Sequence, residues 1–281
     1  MKQKLTRRRF SQLLLLGTAA AIFQDRTTKA LAQTRPSLIY GARAVPRSVA
    51  LQSLNLETGQ VEDLNDLTSA IKLLPNERLT GFSSLPDGTF VIATTTARTT
   101  ATASSNRLMF LDNSSPTLTV SGLAQGSTIE SLMVTKQGSL LSLVSQNNHS
   151  KAFRLTAIDR QTGKSRPITE LSLPRDQRFG TLTQCADGTI YASSPDLKGN
   201  TSLVELSLEQ GQFTSLPPLN FNGTPWQSGL RTLACSPANQ LYVLAAPQHE
   251  TINSLYTVDT STGAMSFLRD FAVNQISFSA R

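Results

Sequence analysis

From residue 37 onward, apolar and polar residues alternate in short runs, and each run stops at a turn signal. Leu182-Thr-Gln-Cys-Ala-Asp-Gly-Thr-Ile-Tyr-Ala-Ser193 shows the pattern best. Alternation with a period of two puts apolar side chains on one face of an extended segment, so each arm reads as a strand. Asp187-Gly188 between the arms reads as a two-residue hairpin turn, where a positive φ suits glycine or asparagine. No stretch after residue 37 carries a sustained helical period; only Leu64 to Arg78, with Ala70-Ile71-Lys72-Leu73-Leu74, suggests a helical turn.

The hairpin recurs without gaps. Phe82-Ser-Ser-Leu-Pro-Asp87-Gly88 aligns with Leu132-Met-Val-Thr-Lys-Gln137-Gly138, with Leu182 to Gly188, and with Leu233-Ala-Cys-Ser-Pro-Ala238-Asn239. A fixed period of about 50 residues is the signature of a repeat architecture. A second hairpin is interleaved with the first, at Leu54 to Val61, Ala157 to Ser165, Glu205 to Phe213 and Thr257 to Met265, with a degenerate copy at Phe110 to Leu118 where Pro116 replaces the turn glycine.

Five second hairpins therefore stand against four complete first ones. The missing first hairpin is divided between the ends of the chain: Ile276 to Arg281 supplies its first strand and Ser37 to Gly41 its second. A linear solenoid needs caps and has no reason to split a unit. A ring does, because pairing the two ends removes exposed strand edges. The expectation is an all-β fold, a single β-propeller over 33–281 with five four-stranded blades, the N- and C-terminal strands sharing one blade; irregular six- or seven-bladed rings fit the hairpin count less well. The DGT-I/F-Y hairpin followed by L-x-x-L/V-D-x-x-T-G resembles the repeats of bacterial propellers of the quinoprotein-like and lactonase-like kinds. That resemblance implies that the short turns share one face. The opposite face then carries the blade connections and the middle loops 42–50, 94–106, 145–151, 194–201 and 246–254.

The first 32 residues read differently. Thr6-Arg7-Arg8-Arg9-Phe10, the apolar run Leu13 to Phe23 and the small-residue site Ala30-Leu31-Ala32 resemble a twin-arginine signal peptide cleaved after Ala32, with Arg7, Arg8 and Phe10 as its marks. The run is about half the ~20 residues that span a bilayer. Export to a periplasm, a thylakoid lumen or the outside is expected, with no stable transmembrane span in the mature chain. Charge changes meaning once this segment is set apart. The whole chain is +7, from 26 basic and 19 acidic residues, but positions 1–32 hold seven of the bases and one of the acids. The remainder is about +1, nineteen against eighteen, with its cations scattered. A nucleic-acid partner is excluded on this ground, since phosphate neutralisation needs a clustered basic face.

Catalytic chemistry finds little support. Glycoside hydrolysis needs two facing carboxylates, and the first strands supply one, Glu130. Asp87 and Asp187 fall in turns, where they stabilise the backbone locally. His149 and His249 lie in middle loops without further ligands close in sequence, and no G-x-S-x-G elbow is present. No cofactor is expected. Cys185 and Cys235 are one repeat position apart on adjacent first strands, an offset that the pleat turns to opposite sides; two buried free thiols are expected.

Binding remains. Trp226, the only tryptophan, lies in a Gly-Thr-Pro loop, either as an anchor for a protein or sugar ligand or as a plug between two blades. Arg78 and Arg178 share one repeat position, Arg231 and Glu130 another, and together they outline a polar ring at the channel mouth. The expected function is an exported, non-enzymatic binding or scaffolding propeller engaging another exported or membrane-associated protein through its long-loop face. The alternative is a lactonase- or glycosidase-like hydrolase at the channel mouth, and a sugar or small molecule is the alternative ligand.

Overall fold

The computed structural model describes residues 37–64, 71–96, 105–112, 116–145, 152–172, 178–247 and 250–279. Every regular element among them is a strand. The first blade takes β1 (Leu38–Val45), β2 (Ser48–Asn55) and β3 (Val61–Asp63), and the second takes β4 (Glu77–Ser84), β5 (Phe90–Thr96), β6 (Ser105–Phe110) and β7 (Leu118–Thr119). The third holds β8 (Thr128–Val134), β9 (Leu140–Ser145), β10 (Ala152–Ile158) and β11 (Ser165–Ser172). In the fourth are β12 (Leu182–Gln184), β13 (Ile190–Pro195), β14 (Thr201–Ser207) and β15 (Gln212–Pro218). A short hairpin, β16 (Asn220–Phe221) and β17 (Thr224–Pro225), precedes the fifth blade of β18 (Thr232–Cys235), β19 (Leu241–Ala245), β20 (Ser254–Asp259) and β21 (Ala264–Asp270). The chain returns in β22 (Gln275–Phe278) to the first blade, whose strand order is β22-β1-β2-β3.

These five antiparallel sheets form a five-bladed β-propeller. Its innermost strands touch in sequence, β4 to β8 to β12 to β18 to β22 and back to β4, so the ring is closed. The closure is the expected one: Tyr40 is paired with Ser277 and Gly41 with Ile276. Positive φ occurs as expected at Gly88, Gly138, Gly188 and Asn239 in the first hairpins, and also at Gly59, Gly163, Gly211 and Gly263 in the second, but the first-hairpin turns hold three residues instead of two, with the Leu85 and Cys185 amides donating to the Thr89 and Thr189 carbonyls. Asp87 and Asp187 accept the amides of Thr89 and Thr189 at 2.8 and 2.9 Å, as their place in the turns dictates.

Each blade is apolar on both faces because each face meets a neighbour. β9 is buried along its whole length, and β5 along all but its last residue. The core is accordingly five wedges, one per gap between blades. The closing wedge joins Ile39 and Leu54 of the first blade to Leu244, Leu255 and Phe271 of the fifth, with Ile276 between them. Full burial of a leucine or isoleucine stabilises by about 1.5–3 kcal/mol, so closure is driven by apolar burial as well as by four paired positions.

Hydroxyl groups seal the channel-side edges of the inner strands. Ser83, Ser131 and Thr181 accept the amides of Val134, Leu182 and Leu233 on the next blade, at 3.2, 2.9 and 3.3 Å. In the second blade the residue equivalent to Ser131 is Gly81, where a Cβ would lie 2.4 Å from that of Leu132.

Three further expectations are corrected. Cys185 and Cys235 form a disulfide, with Cα atoms 5.0 Å apart. Side chains of adjacent blades meet across a gap only when they leave opposite faces of their own sheets. An offset of one position, read as an obstacle, is therefore what brings them together. The middle loop of the first blade is not long: β1 and β2 pair from Val45–Ser48 outward, and Pro46-Arg47 makes a tight turn with Arg47 at φ 64°. The connection before β4 has no helix among its described residues; Ile71 and Leu73 are buried as an extended segment, and Lys72 bridges Ser48. Residues 65–70 of that connection, most of the 94–106 loop, His149, His249 and the signal segment with Arg7, Arg8, Phe10 and Ala32 lie outside the described residues.

Candidate functional site

Contacts between loops define two faces. The middle loops meet the blade connections: the Leu73 amide donates to the Arg47 carbonyl at 3.1 Å, and that of Thr201 to the Trp226 carbonyl at the same distance. The short turns meet one another on the other side, where Arg160 of one second hairpin pairs with Asp87 of a neighbouring first hairpin at 2.9 Å.

Arg78, Arg178 and Arg231 stand at the loop-face ends of the second, fourth and fifth inner strands. All three are exposed. Their backbones are fixed by the ladder: the Arg178 amide donates to the Pro195 carbonyl at 3.3 Å and the Arg231 amide to the Leu244 carbonyl at 2.8 Å, and Arg78 is paired with Thr95. No hydrogen bond or ion pair joins their guanidinium groups to other described residues. Glu130, half-buried, is different. It sits at a bulge between Ile129 and Ser131, and its carboxylate accepts the hydroxyls of Thr128 and Ser145 at 2.5 and 2.7 Å. No bond joins Glu130 to any of the three arginines, so the ring is a set of separate groups at one end of the channel.

Trp226 faces inward. It is 6% exposed and packs in the wedge between the fourth and fifth blades with Leu203, Leu219 and Tyr256, its ring 5.4 Å from that of Tyr256. The hairpin β16–β17 that leads to it adds to the outer edge of the fifth blade by pairing Asn220 and Phe221 with Ala264 and Met265. The Gly-Thr-Pro loop thus lays the indole across a gap instead of presenting it to solvent.

The two faces differ in their balance of charge, which the near-zero sum concealed. The loop face adds Arg43, Arg47, Lys72 and Lys198 to the three arginines, all exposed. Its carboxylates are mostly engaged: Glu77 by Arg107, Asp196 by Asn200 and Glu130 by its two hydroxyls. The turn face carries Asp87, Asp159, Asp187 and Asp259, with Glu57 and Glu209, against Lys136, Arg160 and Lys164. The signal lay in the motif itself, since an aspartate that receives turn amides must sit on the turn side. Bonds from Thr162 and its amide hold the Asp159 carboxyl below the usual range, and those from Ser261 and Thr262 do the same for Asp259.

Exposed aliphatic side chains follow the same division. Leu74, Leu197 and Ile252 rise from loop-face segments, and the remaining large exposed apolar residues, such as Val61 and Phe267, lie on outer strands. Leu197 is 78% exposed at the tip of a loop that is held in shape. Asp196 accepts the amides of Lys198 and Asn200 at 2.8 and 2.9 Å and the Asn200 side-chain amide at 3.0 Å, and Gly199 takes φ +88°.

At the turn-face end the inner strands line a half-open pocket of about 440 Å³, with segments of all five blades in its wall. Among the described residues no cluster of three or more His, Cys, Asp or Glu has metal-binding proximity. No helix among them is long and apolar enough to cross a membrane.

No protein-family model matches the chain, and no curated relative matches it. Its fold is shared with solved structures. A protein of unknown function from Bacteroides caccae is 11% identical over 88% of this chain and 100% of its own, with a TM-score of 0.51. A second of unknown function, from Dyadobacter fermentans DSM 18053, is 10% identical over 84% and 83%, with a TM-score of 0.53. At such identities the likeness concerns the fold.

Proposed function

We propose that the chain is a binding propeller, exported by the twin-arginine route as residues 33–281, that engages an exported or membrane-associated protein through its loop face. The observation that carries this is the coincidence, on that face, of Arg78, Arg178 and Arg231, exposed and without partners among the described residues, with the exposed Leu197 in its bonded loop. Cations held on fixed strand ends steer an oppositely charged surface. An aliphatic tip with a preformed backbone loses little entropy on docking. The partner is therefore acidic, with an apolar recess. A disulfide between two blades is compatible with an oxidising compartment outside the cytoplasm.

The test is chemical crosslinking of the mature protein in its native compartment, comparing the natural chain with R78E/R178E/R231E and with L197D. One reproducible crosslinked partner, lost in both variants while the fold is kept, and weakened by salt, is the expected result. Crosslinks unchanged by either variant would overturn the assignment of the face. Intact mass and elemental analysis of the same preparation show whether the chain starts near Gln33 and whether it carries any added group.

A further inference from the structure

Every inner strand carries one extra residue at its loop-face end, within the strand or just before it, and the position in the repeat is the same in all five blades. In the second and third blades the register shifts between Leu79 and Gly81 and between Ile129 and Ser131, which leaves Thr80 and Glu130 without a partner on the next strand. In the fourth, the Gly180 amide donates to the Ser193 carbonyl and the Ser193 amide to the Thr181 carbonyl, so two residues face one. In the fifth, the Arg231 amide donates to the carbonyl of Leu244, which is already paired with Thr232. In the first, the Asn274 amide does the same to Ala42, which is paired with Gln275. The five bulges form a ring at the mouth of the channel. A bulge turns its extra side chain out of the regular alternation, and such positions are favoured beside functional sites.

Three of the five positions are committed or bare. Thr80 donates to the Ala93 carbonyl at 3.3 Å, the Asn274 side-chain oxygen accepts the Ala44 amide at 2.8 Å, and Gly180 has no side chain. The other two carry opposite charges. The Glu130 carboxylate is held through one oxygen, Oε1, which accepts the hydroxyls of Thr128 and Ser145; those two residues are 0% and 4% exposed. Its Oε2 has no partner, and no cation pairs with the group, among the described residues. A half-buried carboxylate fixed by neutral donors is costly to leave without a counter-charge, and its free oxygen is set to accept a charge-assisted bond. Arg231 is exposed, its backbone pinned to Leu244 and its guanidinium group without a partner among the described residues.

Glu130 belongs to the third blade and Arg231 to the fifth, and the blade between them offers bare backbone at Gly180. A ligand that satisfies both groups is positive at one end, negative at the other, and slender where it passes the fourth blade. Stacked sheets lie about 10 Å apart, and an extended chain advances about 3.3 Å per residue. A peptide of a few residues, and not a free amino acid, therefore separates its charged ends by the width of a blade.

We propose that the loop-face mouth of the channel binds short peptides with free ends, Glu130 taking the N-terminal ammonium group and Arg231 the C-terminal carboxylate. Arg231 is the one residue this site shares with the protein-binding surface. The titration below contains no partner protein, so either assignment can fail alone.

The test is isothermal titration of the mature protein with trialanine, N-acetyl-trialanine and trialanine amide. One saturable trialanine site is expected, with each blocked peptide weaker by about tenfold or more. Glu130→Gln should weaken trialanine by a similar factor and leave N-acetyl-trialanine unchanged. Arg231→Gln should weaken trialanine likewise and leave trialanine amide unchanged. Circular dichroism and thermal melting confirm that each variant is folded, and the blocked peptides test both ends on the natural chain alone. The proposal is overturned by the absence of saturable trialanine binding, by a blocked peptide that binds as well as the free one, or by a folded Glu130→Gln or Arg231→Gln variant that binds trialanine as the natural chain does.

Discussion

The Arg107 guanidinium grips both oxygens of the Glu77 carboxylate, its Nε donating to Oε1 at 2.7 Å and its Nη2 to Oε2. The same carboxylate accepts the Thr94 hydroxyl and the Leu74 amide, and Arg107 also donates to the Lys72 carbonyl. One buried pair thus ties the connection from the first blade to three strands of the second. Burial pushes the Glu77 carboxyl up, but its bonds from Arg107, Thr94 and Leu74 outweigh that and hold it below the usual range.

The pH dependence follows from that direction. A carboxyl whose folded pKa is depressed contributes stability that is fully present above its unfolded pKa and is lost as pH falls through the folded one. The natural chain should lose melting temperature as pH is lowered from neutrality to below 4, and Glu77→Gln should show a smaller loss over that interval. At neutral pH Glu77→Gln should itself cost about 3 kcal/mol, because it leaves Arg107 without its counter-charge. Thermal melts of both chains across pH check the slope and the offset together.

Trp226 offers an optical readout of the wedge between the fourth and fifth blades. As the only tryptophan, packed against Tyr256 and nearly excluded from solvent, it should emit at short wavelength and resist acrylamide quenching. Trp226→Ala should cost about 3–5 kcal/mol through the cavity it leaves. Unfolding followed by fluorescence and by far-ultraviolet dichroism gives the midpoint shift. Emission at the wavelength of a solvated indole would contradict the burial.

The bridge between Cys185 and Cys235 encloses a separation of 50 residues. Loop-closure entropy for that length gives about 4 kcal/mol of stabilisation. The C185A/C235A chain should unfold at clearly lower denaturant than the natural one, and a reductant should shift the midpoint of the natural chain alone. Equal midpoints in all four conditions would show that the blades hold the junction without the bridge.

The parts of the fold that were legible in sequence rest on single residues and their neighbours. Gly88, Gly138, Gly188 and Asn239 mark positive φ because sterics alone decide it. The split blade followed from counting such turns. The parts that were not legible depend on which surfaces face each other. The pairing of Cys185 with Cys235 needed the rule that adjacent blades present opposite faces. The inward turn of Trp226 needed the β16–β17 hairpin to pair outside the fifth blade. The difference in charge between the faces was hidden in a sum near zero, although the aspartates of the turn motifs already named one side. Arg78 and Glu130 lie on inner strands, and Arg178 and Arg231 lie in the segments just before them. Whether each has a partner is a tertiary fact, and it separated Glu130 from the arginines.

Ring closure by the two ends of the chain makes the strictest demand on the fold. β22 supplies the inner strand of the first blade, pairing with β1 from Ile39–Phe278 to Ala42–Gln275. Ile276 is 1% exposed in the closing wedge. The Asn274 side-chain oxygen accepts the Ala44 amide at 2.8 Å, and the Asn274 backbone amide donates to the Ala42 carbonyl at 2.8 Å. Removal of 276–281 should therefore do more than trim a tail. It leaves the edge of β1 unpaired, opens the gap between the fifth and second inner strands, and exposes Ile39 and Val273. The loss should exceed the roughly 1.5–3 kcal/mol of one buried aliphatic side chain, and the unpaired edge should promote association. The comparison is of melting temperature and sedimentation for the truncated chain, the full chain and I276S. A truncated chain that melts with the full one and stays monomeric would show that the ends do not hold the ring, whereas a loss much larger than that of I276S locates the closure in the strand as a whole.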